Sequence, residues 1–316
     1  MNPHHPDVAA VHGEERAPHC PICGSADTHP WRGGGIASGV SADDLRITDA
    51  RYGLTLALAR CRSCGFGFAD CEEIARLDQL YADLDDPGYE ETQTPRLLQM
   101  EWLARMMRQH HPNAKTALDV GAATGLLVAA ARREGFDAIG IEPSRALSET
   151  ARERNHVPVL TGVLPHPELA GRHFDVVFLV DVIEHVDDPL EMLRRCAERL
   201  APDGLMLVVT PDVASVAART LGRRWWHFRI AHVGYFDRHS LGIALERAGL
   251  RAERWMRARW FFDVAYLASR LESYLPVGWF NRFAARMPGL RRIYRSVIPV
   301  NLFDSYAVLV RRVGSA

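Results

Sequence analysis

Ala117-Leu-Asp-Val-Gly-Ala-Ala-Thr-Gly125, followed after one helix length by Gly140-Ile-Glu-Pro143, is the stretch on which the fold turns. An apolar strand runs into a glycine turn and then a helix that opens near Thr124, and a second strand ends on an acid. Gly121 and Gly125 remove Cβ atoms where the backbone must turn tightly and a ligand must come close. The helix that follows points its free N–H groups back toward that ligand. Glu142, at the tip of the next strand, can take both hydroxyls of a ribose. Together these features read as a nucleotide-binding corner.

Two cofactor classes suit such a corner, a dinucleotide and S-adenosylmethionine. Asp119, two residues before the first glycine, suits the cationic aminopropyl end of adenosylmethionine and would repel a pyrophosphate. These residues resemble the class I adenosylmethionine-dependent methyltransferases, whose first motif is an acid, one residue, then Gly-x-Gly-x-Gly. Ala123 stands here where the middle glycine is usual, a departure that bears on loop geometry. The resemblance continues in order: Phe174 to Val180 looks like the family's fourth strand and Asp181 to Pro189 like the loop after it. Leu200-Ala-Pro-Asp-Gly204 is similar to the turn before the fifth strand, Leu205 to Thr210. It implies adenosylmethionine held by Asp119, Gly121, Ala122, Ala123, Gly125, Glu142, Pro143, Asp181 and Val182. Thr161-Gly-Val-Leu164 lacks the acid many relatives use for adenine, which leaves that recognition to backbone groups.

From Thr116 onward strands and helices alternate, the pattern of a parallel sheet covered on both faces. The expected fold is α/β, a Rossmann-like class I methyltransferase sheet with a small N-terminal zinc ribbon. Boundaries follow as a disordered tail over 1–17, a ribbon over 18–72 and a helical cap over 73–113. The methyltransferase domain takes 114–260 and 304–313, and 261–303 is an insertion. Within the ribbon, 45–53 and 54–59 read as short strands. In the families this half resembles, the cap helices lie over the cofactor mouth, which implies contact there by Tyr81, Tyr89 or Arg96; the alternative is core packing for Tyr81 and solvent for Arg96.

Cys20-Pro-Ile-Cys23-Gly and Cys61-Arg-Ser-Cys64-Gly are two knuckles. In each, two thiolates can face one ion while glycine relieves the turn, and two knuckles close a tetrahedral Zn²⁺ site with no open position, hence a structural one. Cys71 and Cys196 fall outside this spacing and read as buried small residues.

The chain has 316 residues, 47% apolar and 24% charged, with a formal net charge of −1. These are globular values, and no global field draws the protein to nucleic acid. Neither a signal-peptide core nor a run of 18 apolar residues occurs, so a cytoplasmic location is expected. The insertion interleaves aromatic and aliphatic residues with six arginines against Asp263 and Glu272. A basic amphipathic stretch of this kind fits peripheral contact with the inner membrane surface, an anionic substrate, or a cap packed on its own domain.

A hydroxyl acceptor needs a base or a metal before it attacks a sulfonium carbon. His185, in Asp181-Val-Ile-Glu-His185, is one candidate base. The loop is similar to that of quinone-pathway O-methyltransferases, which implies a divalent metal at Asp181, Glu184 and His185; the alternative is that Glu184 and His185 cap the helix that follows. His232, before Tyr235-Phe236 and after Arg223-Arg-Trp-Trp-His227, is the second candidate. The expected activity is adenosylmethionine-dependent methylation, at oxygen, of a small molecule, sugar or lipid-linked precursor. Competing readings are an rRNA base methyltransferase, a non-catalytic adenosylmethionine-binding protein and a dehydrogenase. A pI near 6.9 and the lack of an Asn-Pro-Pro-Tyr tetrapeptide after the fourth strand argue against the first.

Overall fold

The structure is a computed structural model, and it describes residues 18–35, 39–46, 48, 51–70, 74, 76–86, 93–272 and 296–314. The tail over 1–17, Cys71, Tyr89 and the middle of the insertion, 273–295, lie outside the described residues. The chain opens with strand β1 (Thr28–Arg32), then β2 (Leu58–Cys61) and β3 (Gly67–Ala69), and helices α1 (Leu77–Ala82) and α2 (Gln93–His110). Next come β4 (Thr116–Val120), α3 (Leu126–Arg133), β5 (Asp137–Glu142), α4 (Arg145–Glu153) and β6 (Val159–Thr161). They are followed by β7 (Phe174–Val180), α5 (Pro189–Arg199), β8 (Leu200–Pro211), α6 (Val216–Leu221), β9 (Gly234–Tyr235) and α7 (Arg238–Arg247). The last elements are β10 (Leu250–Arg257), β11 (Trp260–Asp263), α8 (Val264–Glu272), β12 (Val297–Val300) and β13 (Ser305–Arg312).

Seven strands form the main sheet in the order β10-β13-β8-β7-β4-β5-β6, with β13 antiparallel to both neighbours and the strands from β8 to β6 parallel. Alternate residues of one strand serve opposite faces. On β7, Val176 and Phe178 join a core with Leu103, Met107 and Val128, whereas Val177 and Leu179 join one with Leu193 and Leu245. The α/β class expected from alternation is therefore the observed one. β4 leads outward to β5 and β6, and the chain then returns to lay β7 on the other side of β4. That reversal opens a crevice at the carboxyl ends of β4 and β7, where such sheets bind ligands. Helix starts follow local chemistry: Ser144 Oγ accepts from the Leu147 amide, and Asp188 accepts from the Glu191 amide just before Pro189.

The N-terminal segment differs from expectation in its strands. Among the described residues of 45–53 no strand forms: Leu45 closes a short 3-10 turn, Ala42–Leu45, and is buried. Of 54–59 only Leu58 and Ala59 enter a strand, β2, which pairs with β1 on one side and forms a hairpin with β3 on the other; β3 pairs on its far side with β9, so one sheet runs β1-β2-β3-β9. Phe66, Phe68 and Ile22 share a core with Leu118 and Phe236. β13 lies one strand in from the sheet edge, where β10 covers it. β11 and β12 pair and tie together the two ends of the insertion. No described helix is long and apolar enough to cross a membrane.

Candidate active site

After β4 the chain turns through Gly121 at φ +77° and Ala123 at φ +46°, a left-handed position unusual for alanine. Glu142 explains how that turn is held. Its Oε2 accepts from the Ala123 amide at 2.8 Å and its Oε1 from the Ser144 amide at 2.9 Å. A Cβ on Gly125 would lie 2.5 Å from Val157 Cγ2 and 3.1 Å from Ala151 Cβ, so this glycine lets the start of α3 pack closely on α4 and the approach to β6.

A cavity of about 630 Å³ opens beside this turn. Of the residues singled out for the cofactor, Asp119, Gly121, Ala122, Ala123 and Asp181 line it. Gly125, Glu142, Pro143 and Val182 do not: Glu142 is drawn back into the loop, and Val182 fills the space beside Gly121. Arg96 lines the cavity, whereas Tyr81 turns to His185, its hydroxyl 2.8 Å from Nδ1. Burial pushes Asp119 up to about 8, with the Glu142 charge adding. Burial also raises Glu142 to about 7, against the pull of the Ser144 and Ala123 amides. Asp181 rises to about 7 from burial, opposed by Arg96 and reinforced by Asp304. Gln99, whose amide N and O are both buried with no hydrogen-bond partner among the described residues, also faces the cavity. Buried acids and an unsatisfied amide around one crevice suit a cationic amino-acid ligand such as the methionine end of adenosylmethionine.

The far wall of the cavity is aromatic and histidine-rich. His185 and His232 meet edge to face at 4.7 Å, and His232 stacks on His227 at 5.7 Å. Burial, then the Arg229 charge, lowers His185 to about 3; burial, then His185 and Arg229, drops His232 well below the ordinary range. Both rings are thereby held neutral and weakly basic. Glu184 and His185 do not cap the following helix, since Asp188 does. Nor does the Asp181, Glu184 and His185 metal set assemble. Glu184, His185 and His232 bring ligand atoms within 4.8 Å of one another, but Asp181 stays outside. In that group the Tyr81 hydroxyl meets His185 and the Thr210 hydroxyl donates to Oε2 of Glu184, while Glu184 Oε1 has no hydrogen-bond partner among the described residues.

Sequence reasoning missed several lining residues. Trp260, Phe261 and Phe262 come from the mouth of the insertion, Thr48 and Tyr52 from the N-terminal segment, and Asp304 from the residue before β13. The aromatic run at 260–262 was a readable signal; Asp304 reaches the cavity only because β13 inserts between β8 and β10.

The four knuckle cysteines converge as well. Cys20 and Cys64 Sγ lie 3.5 Å apart, as do those of Cys23 and Cys61, and all four fall within 4.8 Å. Sulfurs around one Zn²⁺ at about 2.3 Å stand about 3.8 Å apart, so this set fits such an ion. Hydrogen bonding to Cys64 draws Cys20 down to about 5 and pushes Cys64 up, as two sulfurs sharing one proton must behave. Through β3 and β9 the knuckles stand directly behind the histidine wall: the Ala69 amide donates to the Val233 carbonyl, and the Val233 amide to that of Glu184.

Residues 89–254 match a family described as a methyltransferase domain. The ubiquinone biosynthesis O-methyltransferase of Rhodopseudomonas palustris (strain HaA2) is 32% identical over 180 residues, covering 52% of this chain and 67% of that protein. That of Bradyrhizobium diazoefficiens is 30% identical over the same shares. Among solved structures, the mitomycin 7-O-methyltransferase MmcR aligns with TM-score 0.46 and 21% identity, over 68% of this chain and 53% of that one. The CcbJ methyltransferase from Streptomyces caelestis gives 0.45 and 13%, over 68% and 90%. Strand order and the acid-glycine turn agree with the family match over more than half of its length, and the chain belongs to the methyltransferase-domain family as an adenosylmethionine-dependent methyltransferase.

Proposed function

We propose that the protein methylates an oxygen of a small-molecule acceptor. The observation that carries this reading is the single cavity that joins the Asp119 to Ala123 turn to a wall of Trp226, His227, His232 and Trp260. Its size suits a cofactor and a compact acceptor side by side rather than a polymer. The relatives whose names specify O-methylation support oxygen as the acceptor atom.

Bound adenosylmethionine supplies a methyl group on a sulfonium that is open to in-line attack. The protein's part is placement. Asp119 and Asp181 would hold the cationic end, Gln99 would offer a donor and an acceptor to the amino-acid portion, and the Gly121 to Ala123 backbone would bind the nucleoside. Glu142 acts one layer back, holding the Ala123 amide in position. The aromatic wall excludes water and orients the acceptor, which is where most of the rate gain in a displacement of this kind arises. Cys20, Cys23, Cys61 and Cys64 would hold a structural Zn²⁺, which would stiffen the sheet behind that wall.

Label transfer tests the reading. The protein is incubated with adenosylmethionine carrying a tritiated methyl group and with small-molecule, lipid and RNA fractions of its host. Label in a small-molecule or lipid ether supports the proposal, and label confined to RNA overturns it.

A further inference from the structure

His227 lines the cavity and carries a feature that His185 and His232 lack: its Nε2 stands 3.4 Å from Oδ2 of Asp304, whose side chain is 1% exposed. Asp304 is anchored twice, by the Trp225 indole N–H at 3.4 Å from the same oxygen and by its own carbonyl, which accepts from the Asp212 amide at 2.7 Å. Although burial pushes its carboxyl up, the contacts with His227 and Trp225 bring it below the usual range, so it is a carboxylate. A carboxylate on one imidazole nitrogen fixes the N–H there and leaves the lone pair on the other. We propose that His227, oriented by Asp304, is the general base that accepts the acceptor's hydroxyl proton.

This inference rests on the O-methylation reading. The acceptor O–H donates to Nδ1 of His227, the oxygen attacks the methyl carbon, and the carbon–sulfur bond breaks with its electron pair left on sulfur. The products are a methyl ether, the neutral thioether S-adenosylhomocysteine, and an imidazolium facing the Asp304 carboxylate until its proton passes to solvent. Asp304 is a positioning residue and touches no reacting atom. The groups set against His227 are Asp304 before β13, His185 after β7, and His232 with the Trp225 and Trp226 rings on its own loop, and Asp304 in turn acts on Asp181. His185 has Nδ1 committed to Tyr81, and His232 is walled in between His185 and His227.

The test compares wild type, His227→Gln and Asp304→Asn in transfer of tritiated methyl to the host small-molecule fraction, with S-adenosylhomocysteine affinity by calorimetry as the control on folding. Expected are a loss of at least about 100-fold in rate for His227→Gln, the scale of a lost general base, with affinity kept within about threefold. Asp304→Asn loses less rate and moves the acidic limb of the pH–rate profile to lower pH, because the charge that favours the imidazolium is gone. Nitrogen-15 spectra of wild type with S-adenosylhomocysteine should show His227 protonated at Nε2. Turnover within about threefold of wild type in His227→Gln, an acidic limb unmoved in Asp304→Asn, or a His227 ring protonated at Nδ1 each overturns the proposal. No label transfer by wild type to the small-molecule or lipid fraction sinks the O-methylation reading, and the nitrogen spectra then decide the orientation of the dyad by themselves.

Discussion

The Tyr81 hydroxyl lies 2.8 Å from Nδ1 of His185, joining a helix of the N-terminal cap to the loop after β7 across 104 residues of sequence. Burial pushes the Tyr81 phenol far above its ordinary range, so it stays protonated and can donate to the neutral imidazole. Tyr81→Phe strands a buried ring nitrogen. The expected cost is about 1–2 kcal/mol, read as a fall in Tm of about 2–4 °C, with S-adenosylhomocysteine affinity nearly unchanged. A wild-type Tm would show that the contact contributes nothing.

Asp119, at about 8, governs how cofactor affinity responds to pH. Below that value the free protein holds it protonated, while a cationic ligand favours the carboxylate, so binding releases a proton. Affinity should rise with pH up to about 8, by as much as about tenfold per unit. Calorimetry at pH 7 in two buffers of different ionisation enthalpy measures the released proton directly; identical heats after correction would contradict this.

The same shift has a cost in stability. A carboxyl whose folded value is raised favours the fold fully below its unfolded value near 4, and that advantage fades as pH climbs toward 8. Asp119→Asn removes the ionisation. The variant should melt higher than wild type at pH 8 without ligand, yet bind S-adenosylmethionine at least about tenfold more weakly, the scale of a lost charge-assisted contact.

Gly121 stands at φ +77° with Val182 packed where a Cβ would go. Gly121→Ala therefore meets both backbone strain and a clash, about 1–3 kcal/mol for the strain. Adding Val182→Ala relieves the clash alone. Partial recovery of Tm in the double variant is expected; full recovery would mean that the backbone tolerates alanine there.

Zinc removal should be felt across the sheet. Chelation, or Cys64→Ser, is expected to abolish a single bound zinc ion and to speed hydrogen exchange at Val233, Gly234 and Tyr235, which pair with or lie beside β3. Unchanged exchange at those amides would uncouple the knuckles from the histidine wall.

The alternation of strands and helices was readable because each parallel strand is a short apolar run bounded by turn residues, and the glycine turn announced the crevice. Asp119 was legible as a site residue since it stands beside the first glycine. Glu142 was legible only in part: its position at a strand tip was clear, but not that two backbone amides would draw its carboxylate into the loop. The four cysteines were legible from spacing, whereas the strands between them were not, because Leu45 belongs to a core with residues of α1 and of the 225–235 loop rather than to a ladder. The dyad of His227 and Asp304 had no sequence signal. Asp304 closes a loop 77 residues away from its partner, and only the insertion of β13 into the sheet brings the two together.

Pairing between β3 and β9 means that the N-terminal segment and the catalytic domain are not interchangeable parts. The knuckle hairpin completes its sheet with a strand supplied by residues 234 and 235, so it must wait for the distant chain to arrive before its outer edge is covered. Grafted onto another enzyme, the hairpin would carry an open edge, and the donor enzyme would lose the backing of its own acceptor wall.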